Sequence, residues 1–304
     1  MFTHCCPGRP QLRPIPYPRS RRNSVLDTIR SGYFGTGRAT TGRKLRLVSW
    51  NIERGLQLPA VVTFLKQQAP DICFLQEVDL NARRTGRAAL PAVIARELGL
   101  NYIYGIEWEE LSQRVGPEPA YQGQAILSWG TFSATRVIRF SAQSDHWRSR
   151  WYLPNWQIFQ ARSGGRMALA SELTLGQARL AVYNLHLESR GSDQLRNSQL
   201  MEVVQDSWRY PDDTTVLVAG DLNTRRSPSP LRTTLLSSGF QDACENGDSR
   251  GTKPNGERLD WIFGRGPALF VEARVHRDTT ASDHYPLTAS LVLPEHTPIT
   301  GDGR

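Results

Sequence analysis

VLVAGDLNT, residues 216–224, ends a run of apolar residues on two polar side chains. Val216 to Ala219 have the composition of a strand that is buried on both faces, and Gly220 interrupts it. If the chain stays extended, Asp221 and Asn223 point to the same side, because successive side chains of a strand alternate. A plain turn is the alternative, since glycine, aspartate and asparagine all favour turns. The stretch alone leaves a functional site and a turn open.

Other predicted strands end in the same way. The polar residues at these ends are Asn51 and Glu53 in SWNIERG, Glu77 in FLQEVD, Asn184, His186 and Glu188 in YNLHLES, Asp260 in RLDWIF, and Asp283 and His284 in SDHYPL. Carboxylates bind hard divalent cations, imidazoles transfer protons, and carboxamides hydrogen-bond phosphoryl oxygens. Each residue alone could be structural. Together they indicate metal-assisted phosphoryl chemistry, whereas the thiolate and multi-histidine spacings of a zinc site are missing.

Strand and helix signals alternate from Leu45 onward. Helices are predicted behind the first two strands and at 193–208 and 230–237, where Pro230 takes the first helical position. Many strands and few helices between 101 and 185 favour mixed sheets over a doubly wound parallel sheet. The predicted fold class is α/β (α+β), a four-layer sandwich in which two mixed β-sheets pack face to face with helices on the outside.

Charge is distributed unevenly along the 304 residues, whose net charge is +8. Residues 1–44 hold nine basic residues, one acidic residue and five prolines, and the remainder holds 28 basic and 28 acidic residues. We predict a disordered basic Pro/Arg-rich arm at 1–44, a catalytic domain at 45–293 and a flexible C-terminal tail at 294–304. The neutral domain counts mildly against a broad basic groove for nucleic acid.

Targeting signals are weak in this sequence. No apolar run approaches the roughly 20 residues of a membrane span, and residues 1–44 lack the apolar core of a secretory signal. The four cysteines form no CxxC pair and no disulfide framework, which is compatible with a reducing compartment. We expect a cytoplasmic monomer without a protein partner.

Five motifs in order, SWNIERG, FLQEVD, YNLHLES, AGDLNT and the pair RLDWIF with SDHYPL, resemble the endonuclease/exonuclease/phosphatase superfamily over about residues 45–293. This superfamily includes pancreatic-type deoxyribonucleases, abasic-site endonucleases and sphingomyelinases. QGQAILS at 122–128 is similar to a family stretch that usually has asparagine where Gln124 stands. Arg196 and Gln199 match an Arg-x-x-Gln spacing seen after the histidine motif.

The resemblance implies a phosphoesterase that depends on Mg²⁺ or Mn²⁺. Glu77 would be the principal metal ligand, Asn51 would hold the metal and phosphate network beside it, and Asp283 would be a second carboxylate on the metal side. Asp221 would orient or deprotonate the attacking water, and Asn223 would hydrogen-bond the phosphate.

The resemblance also gives both histidines a role. His186 would stabilise or protonate the phosphoryl group, and His284 would contact the scissile phosphate. Asp260 would accept a hydrogen bond from His284 and fix its tautomer.

The motifs define the reaction better than the substrate. Hydrolysis of a phosphodiester by in-line attack of water, in nucleic acid or a nucleotide-like molecule, is the first hypothesis. A phospholipid or inositol phosphate hydrolase and a non-catalytic binding protein on the same scaffold are the alternatives. Asn184, Arg84 and Trp151 are predicted to bind substrate. For the tryptophans of HWRSRWYLPNW, residues 146–156, two alternatives stay open. They contact bases, sugars or a membrane surface, or they pack into the core.

Overall fold

The computed structural model describes residues 25–35, 44–144, 154, 156, 158–225, 228–245 and 247–294. Within these residues the helices are α1 (Leu58–Gln68), α2 (Leu90–Leu98), α3 (Asp193–Ser207) and α4 (Pro230–Ser237), and the 3₁₀ turns are Arg83–Thr85 and Leu111–Gln113. The strands are β1 (Arg30–Gly32), β2 (Lys44–Arg54), β3 (Ile72–Leu80), β4 (Asn101–Glu109), β5 (Tyr121–Ser128), β6 (Thr131–Arg139), β7 (Ser163–Gly164), β8 (Met167–Leu175), β9 (Ala178–His186), β10 (Thr215–Asp221), β11 (Gln241–Asp242), β12 (Asp260–Arg265), β13 (Leu269–Val275) and β14 (Leu287–Val292).

Two mixed sheets form the centre of the fold. The first has the order β1-β4-β5-β3-β2-β14-β13, with β7 paired to β4, and the second has the order β11-β12-β10-β9-β8-β6. The parallel pair of the first sheet is β2 with β3, and that of the second is β9 with β10. The predicted sandwich of two mixed sheets is therefore confirmed.

Apolar side chains fill the space between the layers. The larger core joins residues of both sheets, such as Leu47, Phe74 and Leu217, to apolar residues of α1 and α2. A second core packs α3 and α4 against the other face of the second sheet, with Tyr183 and Leu200 completely buried. The sheets are thus enclosed between helical layers.

The helix boundaries follow from the capping residues. Ser229 caps α4 by accepting a hydrogen bond from the backbone N–H of Arg232 at 3.2 Å, and Pro230 follows at the first position. Ser192 caps α3 in the same way through the N–H of Leu195. The helix predicted at 230–237 is confirmed at both ends.

The prediction of a disordered arm at 1–44 is wrong for residues 25–35. Within this segment β1 pairs with β4, Leu26 is buried in the larger core, and the backbone N–H of Gly35 donates to Asn101 Oδ1 at 2.8 Å. Residues 25–35 are therefore ordered by pairing with the edge of β4 and by the burial of Leu26, although their composition predicts disorder. Residues 1–24 and 36–43, and the predicted tail after residue 294, lie outside the described residues.

Only part of HWRSRWYLPNW, the tryptophan-containing loop at 146–156, lies within the described residues. Trp147 and Trp151 lie outside the described residues, whereas Trp156 is 63% exposed and contacts Phe159. Packing into the core, one of the two alternatives for this loop, is therefore wrong for Trp156. Across the described part of the chain, no helix has the length and apolar character needed to cross a membrane.

Candidate active site

The candidate site lies where the two parallel pairs end. Parallel strands finish at the same edge of a sheet, so β2 and β3 present one group of polar residues, and β9 and β10 present another. The two groups meet through Asn51, whose Nδ2 donates to Asp221 Oδ2 at 3.2 Å and lies 3.4 Å from Glu77 Oε1. One carboxamide thus bridges the two sheets between two carboxylates.

Asp221 is at the centre of this site. Its Oδ2 lies 3.6 Å from Nε2 of His186 and 3.7 Å from Nε2 of His284, and all three side chains are buried. The other carboxylate oxygen, Oδ1, accepts a hydrogen bond from the backbone N–H of Asn223 at 2.9 Å. Two imidazoles and one carboxylate therefore face a common point, where proton transfer is possible.

His284 is held by Asp260 from the second sheet. Nδ1 of His284 donates to Asp260 Oδ2 at 2.7 Å, and the backbone N–H of Asp260 donates to Thr252 Oγ1 at 3.1 Å. Burial lowers the pKa of His284, but Asp260 and Asp221 outweigh it and raise that pKa to about 9. The imidazole is therefore charged at neutral pH, and its Nε2–H is a donor toward the site.

Glu107 is the corresponding partner of His186, and no sequence motif predicts it. Glu107 Oε2 lies 3.5 Å from Nδ1 of His186 and 3.4 Å from Nη1 of Arg166, and Gln124 Nε2 donates to Glu107 Oε1 at 3.1 Å. Burial raises the pKa of Glu107, but His186 and Arg166 reverse the shift and lower it to about 2. Glu107 is thus a buried carboxylate held in its charged form.

A backbone irregularity explains why Glu107 gives no simple sequence signal. The pairing of β4 with β5 shifts register between Ile106 and Trp108, so Glu107 is the extra residue of a bulge. A bulge redirects a side chain that alternation would place elsewhere. In the sequence Glu107 stands beside two further glutamates, Glu109 and Glu110, so no local pattern marks it as the partner of His186.

A second irregularity directs Glu77 into the site. Its φ is 52°, and the pairing of β3 shifts register on both sides, toward β2 and toward β5. Such a φ is uncommon for a non-glycine residue and is typical of functional positions. Burial raises the pKa of Glu77, but the positive neighbours His186, Arg54, Arg166 and His284 lower it overall.

The residues around Glu77 fit a hard divalent cation. The carboxylate lies 3.4 Å from Asn51 Nδ2 and 3.5 Å from Arg54 Nη2, which is longer than a strong charge-assisted hydrogen bond. Its oxygens therefore keep capacity for another cation. Oδ1 of Asn51 accepts from the backbone N–H of Glu53 at 3.1 Å and keeps one lone pair for a cation. Asp221, Asp260 and His284 also bring ligand atoms within 4.8 Å of one another. Oxygen donors dominate the set, as Mg²⁺ and Mn²⁺ require.

VLVAGDLNT delivers its polar residues through two unusual backbone positions. Gly220 has φ of 140°, and a Cβ there would lie 2.0 Å from the carbonyl oxygen of Leu185. Asn223 has φ of 50°, and its Nδ2 donates to the Leu187 carbonyl at 3.0 Å. The chain therefore bends between Asp221 and Asn223, and both residues remain at the edge where β9 also ends.

Asn184, which the sequence assigns to substrate binding, has no exposed surface. Its Nδ2 donates to the carbonyls of Leu75 and Ala125, each at 2.9 Å, and its Oδ1 accepts from Gln76 at 2.7 Å. These contacts join β9 to β3 and β5 across the sandwich. A completely buried carboxamide cannot contact substrate here, so the assignment is corrected to a link between the sheets.

Arg84 and Asp283 are not brought into the cluster either. Arg84 forms a bidentate ion pair with Asp79 at 2.7 Å for both contacts. The Asp283 carboxylate is half exposed and lies 2.6 Å from Nζ of Lys253. Trp151 lies outside the described residues. Both Arg84 and Asp283 therefore have charged partners of their own, and their predicted roles are not supported by direct contact with the cluster.

Comparisons with known proteins agree with this fold. The profile of the Endonuclease/Exonuclease/phosphatase family matches residues 48–284. The human Nocturnin catalytic domain is 17% identical, with 84% of this chain and 97% of that chain covered and a TM-score of 0.65. No curated protein matches the chain.

Two further solved structures share the fold. An endonuclease/exonuclease/phosphatase from Beutenbergia cavernae is 19% identical, with 83% of this chain and 72% of that chain covered and a TM-score of 0.60. A D. rerio TDP2 humanised by 14 mutations has the same identity and TM-score, with 83% of this chain and 100% of that chain covered. Because the family profile matches from within β2 to His284, the chain belongs to the Endonuclease/Exonuclease/phosphatase family.

Proposed function

We propose that this protein is a Mg²⁺-dependent phosphodiesterase that cleaves its substrate by in-line attack of water. The observation that carries the proposal is the placement of Asp221 Oδ2 between Nε2 of His186 and Nε2 of His284, at 3.6 and 3.7 Å. A carboxylate that can accept a proton, beside two imidazoles that can hydrogen-bond phosphoryl oxygens, is the arrangement that hydrolysis of a phosphoester needs.

Asp221 and His284 have separate roles in the proposed reaction. Asp221, oriented through the backbone N–H of Asn223, accepts the proton of the attacking water as the new P–O bond forms. His284, charged and fixed by Asp260, donates its Nε2–H to the phosphoryl group. Glu77 and Asn51 would hold a Mg²⁺ or Mn²⁺ ion, which would offset the negative charge that develops on the phosphoryl group.

Two further side chains complete the site. His186, beside Glu107, stabilises or protonates the phosphoryl group, and the leaving oxygen takes up a proton from solvent as its bond to phosphorus breaks. Asn223, whose carboxamide is fixed on the Leu187 carbonyl, is a hydrogen-bond donor at the same edge. These groups require no covalent intermediate, because water is the nucleophile.

A nucleic-acid phosphodiester is the substrate class that we propose. Support comes from the family and from one structural neighbour, D. rerio TDP2, which was solved in complex with a single-strand DNA product. Phospholipid and inositol phosphate are the competing substrates, and a substrate panel separates them. Purified protein with Mg²⁺ or Mn²⁺ is incubated with plasmid, abasic duplex, RNA, sphingomyelin and inositol phosphates. Turnover of lipid alone would overturn the proposed substrate class.

The catalytic proposal is tested with bis(p-nitrophenyl) phosphate. Glu77→Ala and His284→Ala are each expected to lower kcat/KM by about 100-fold or more, the usual range for an acid–base group, and EDTA is expected to abolish turnover of the parent. Glu97→Ala is the matched control, because Glu97 is half exposed on α2 and pairs with Lys66 away from the site. Rates equal to the parent in both site variants would show that the assignment is wrong.

A further inference from the structure

Lys253 forms a close ion pair at the edge of the site. Its Nζ lies 2.6 Å from Asp283 Oδ2, directly before His284 in the chain. The Lys253 side chain is 21% exposed, whereas that of Asp283 is 51% exposed. Asp283 is one of the carboxylates that the family resemblance assigns to the metal. Among the described residues, the ion-pair partner of Asp283 is therefore a lysine side chain.

The turn that carries Lys253 is tied to both halves of the Asp260–His284 pair. The carbonyl of Thr252 accepts from the backbone N–H of Tyr285 at 2.7 Å. The hydroxyl of Thr252 accepts from the N–H groups of Leu259 and Asp260 at 3.0 and 3.1 Å. Lys253, the next residue, is thus held beside the histidine that faces the site.

The turn itself is well defined. The N–H of Lys253 donates to the carbonyl of Glu257, and the N–H of Gly256 donates to the carbonyl of Lys253, each at 3.0 Å. Gly256 has φ of 87°, which closes the turn at a residue that tolerates such backbone. The main chain of Lys253 is consequently fixed, and only its side chain has freedom to change partner.

The Lys253–Asp283 pair is suited to exchange. A half-exposed carboxylate is well hydrated, so its attraction for a lysine is weakened by water. A phosphate presents charged oxygens to the same ammonium group, and lysine binds phosphate as a compact point charge with three donors. A substrate phosphate facing His284 can therefore replace Asp283 as the partner of Lys253 without a backbone movement.

We propose that Lys253 is a substrate-contacting residue that binds the phosphate facing His284. Asp283 is the counter-ion of Lys253 before the substrate binds. This inference rests on the proposed function, because it assumes that a phosphate enters beside His284. It assigns Asp283 to Lys253 rather than to the metal. A merely structural ion pair would instead stabilise the turn without affecting phosphate binding.

The test uses the full chain with Lys253→Met, Lys253→Arg, Asp283→Asn and a control, Lys66→Met. Lys66 is matched because its Nζ lies at the same 2.6 Å from Glu97, on the helices remote from the site. Binding of inorganic phosphate and of Mg²⁺ alone is measured by calorimetry, and KM and kcat are measured with bis(p-nitrophenyl) phosphate. Thermal unfolding of each variant reports any loss of stability.

Lys253→Met is expected to weaken phosphate binding and to raise KM by about tenfold or more, the usual effect of losing a charge-assisted contact. Lys253→Arg is expected to restore most of both, and Lys66→Met to change neither. Asp283→Asn is expected to bind Mg²⁺ as the parent does. Parent-like phosphate binding in Lys253→Met, absence of phosphate binding by the parent, or loss of Mg²⁺ binding in Asp283→Asn would overturn the inference.

Failure of the inference and failure of the proposed function give different results. If the parent hydrolyses no phosphodiester while phosphate affinity still depends on Lys253, the proposed function fails and the inference stands. If the parent is active and Lys253→Met binds phosphate and substrate as the parent does, only the inference fails.

Discussion

The Asp260 carboxylate accepts a hydrogen bond from Nδ1 of His284 at 2.7 Å, with both side chains buried. This contact leaves Nε2 of the imidazole directed toward Asp221, 3.7 Å away. Because Asp260 begins β12 and His284 lies just before β14, the pair joins residues of different sheets. The raised pKa of His284 is therefore a property of the folded protein and is lost on unfolding.

The first prediction concerns the stability of the protein at alkaline pH. The pKa of His284 is about 9 in the folded protein against an ordinary value of 6.5. A raised pKa contributes stability that is complete below pH 6.5 and is lost as the pH rises through 9. Urea unfolding between pH 6 and 10 is therefore expected to show a stability difference between the parent and His284→Asn that decreases over this interval. A difference that stays constant with pH would contradict the prediction.

The second prediction concerns acid unfolding through Glu107. Its pKa is lowered from 4.5 to about 2 in the folded protein. Its contribution to the free energy of unfolding is therefore complete above pH 4.5 and is lost as the pH falls toward 2. Glu107→Gln leaves Arg166 and His186 without their buried carboxylate, and a loss of about 3 kcal/mol at pH 7 is expected. Denaturant unfolding at pH 7 and pH 3 measures the effect, which is expected to be smaller at pH 3.

Glu97→Gln is the control for this experiment, because Glu97 is a half-exposed partner of Lys66. It is expected to change stability little at either pH. An equally small effect of Glu107→Gln would mean that the Glu107–Arg166 contact does not stabilise the fold.

The third prediction concerns Gly220. A Cβ at this position would lie 2.0 Å from the Leu185 carbonyl oxygen, which belongs to the paired strand β9. Gly220→Ala is therefore expected to cost about 3 kcal/mol or more and to disturb Asp221, since the backbone must move. Gly99→Ala is the control, because Gly99 has a positive φ but nothing within 4 Å of its missing Cβ. Its cost is expected to be near 1 kcal/mol, and equal losses in the two variants would contradict the steric explanation.

The fourth prediction separates the structural role of Asn184 from a role in substrate binding. Asn184→Ala removes donors to the carbonyls of Leu75 and Ala125 and leaves both buried without that partner. A loss of about 2–4 kcal/mol in the free energy of unfolding is expected. The KM measured well below the unfolding temperature is expected to remain that of the parent. A variant with parent stability and a raised KM would restore the substrate-binding assignment.

The sequence predicts the polar residues at the strand ends, because the signal for each of them lies within one short motif. Each motif combines an apolar run with the polar residue that follows it, and the polar residues of AGDLNT and YNLHLES meet because β9 and β10 are parallel neighbours. Glu107 and Lys253 were not predicted. Glu107 is directed inward by a bulge. Lys253 reaches Asp283 from a turn in which the carbonyl of Thr252 accepts a hydrogen bond from the backbone N–H of Tyr285, 33 residues later in the chain.

The sequence by itself determined the alternation of strands and helices, the sandwich class and the identity of the residues at the strand ends, because periodicity and composition are encoded locally. The tertiary structure decided which of them share one site. Asn51 meets Asp221 only because the two sheets pack face to face, and Asn184 is buried for the same reason. VLVAGDLNT contributes to a cluster of polar residues rather than to an isolated turn, because Gly220 allows β10 to lie against β9 and places Asp221 between two histidines.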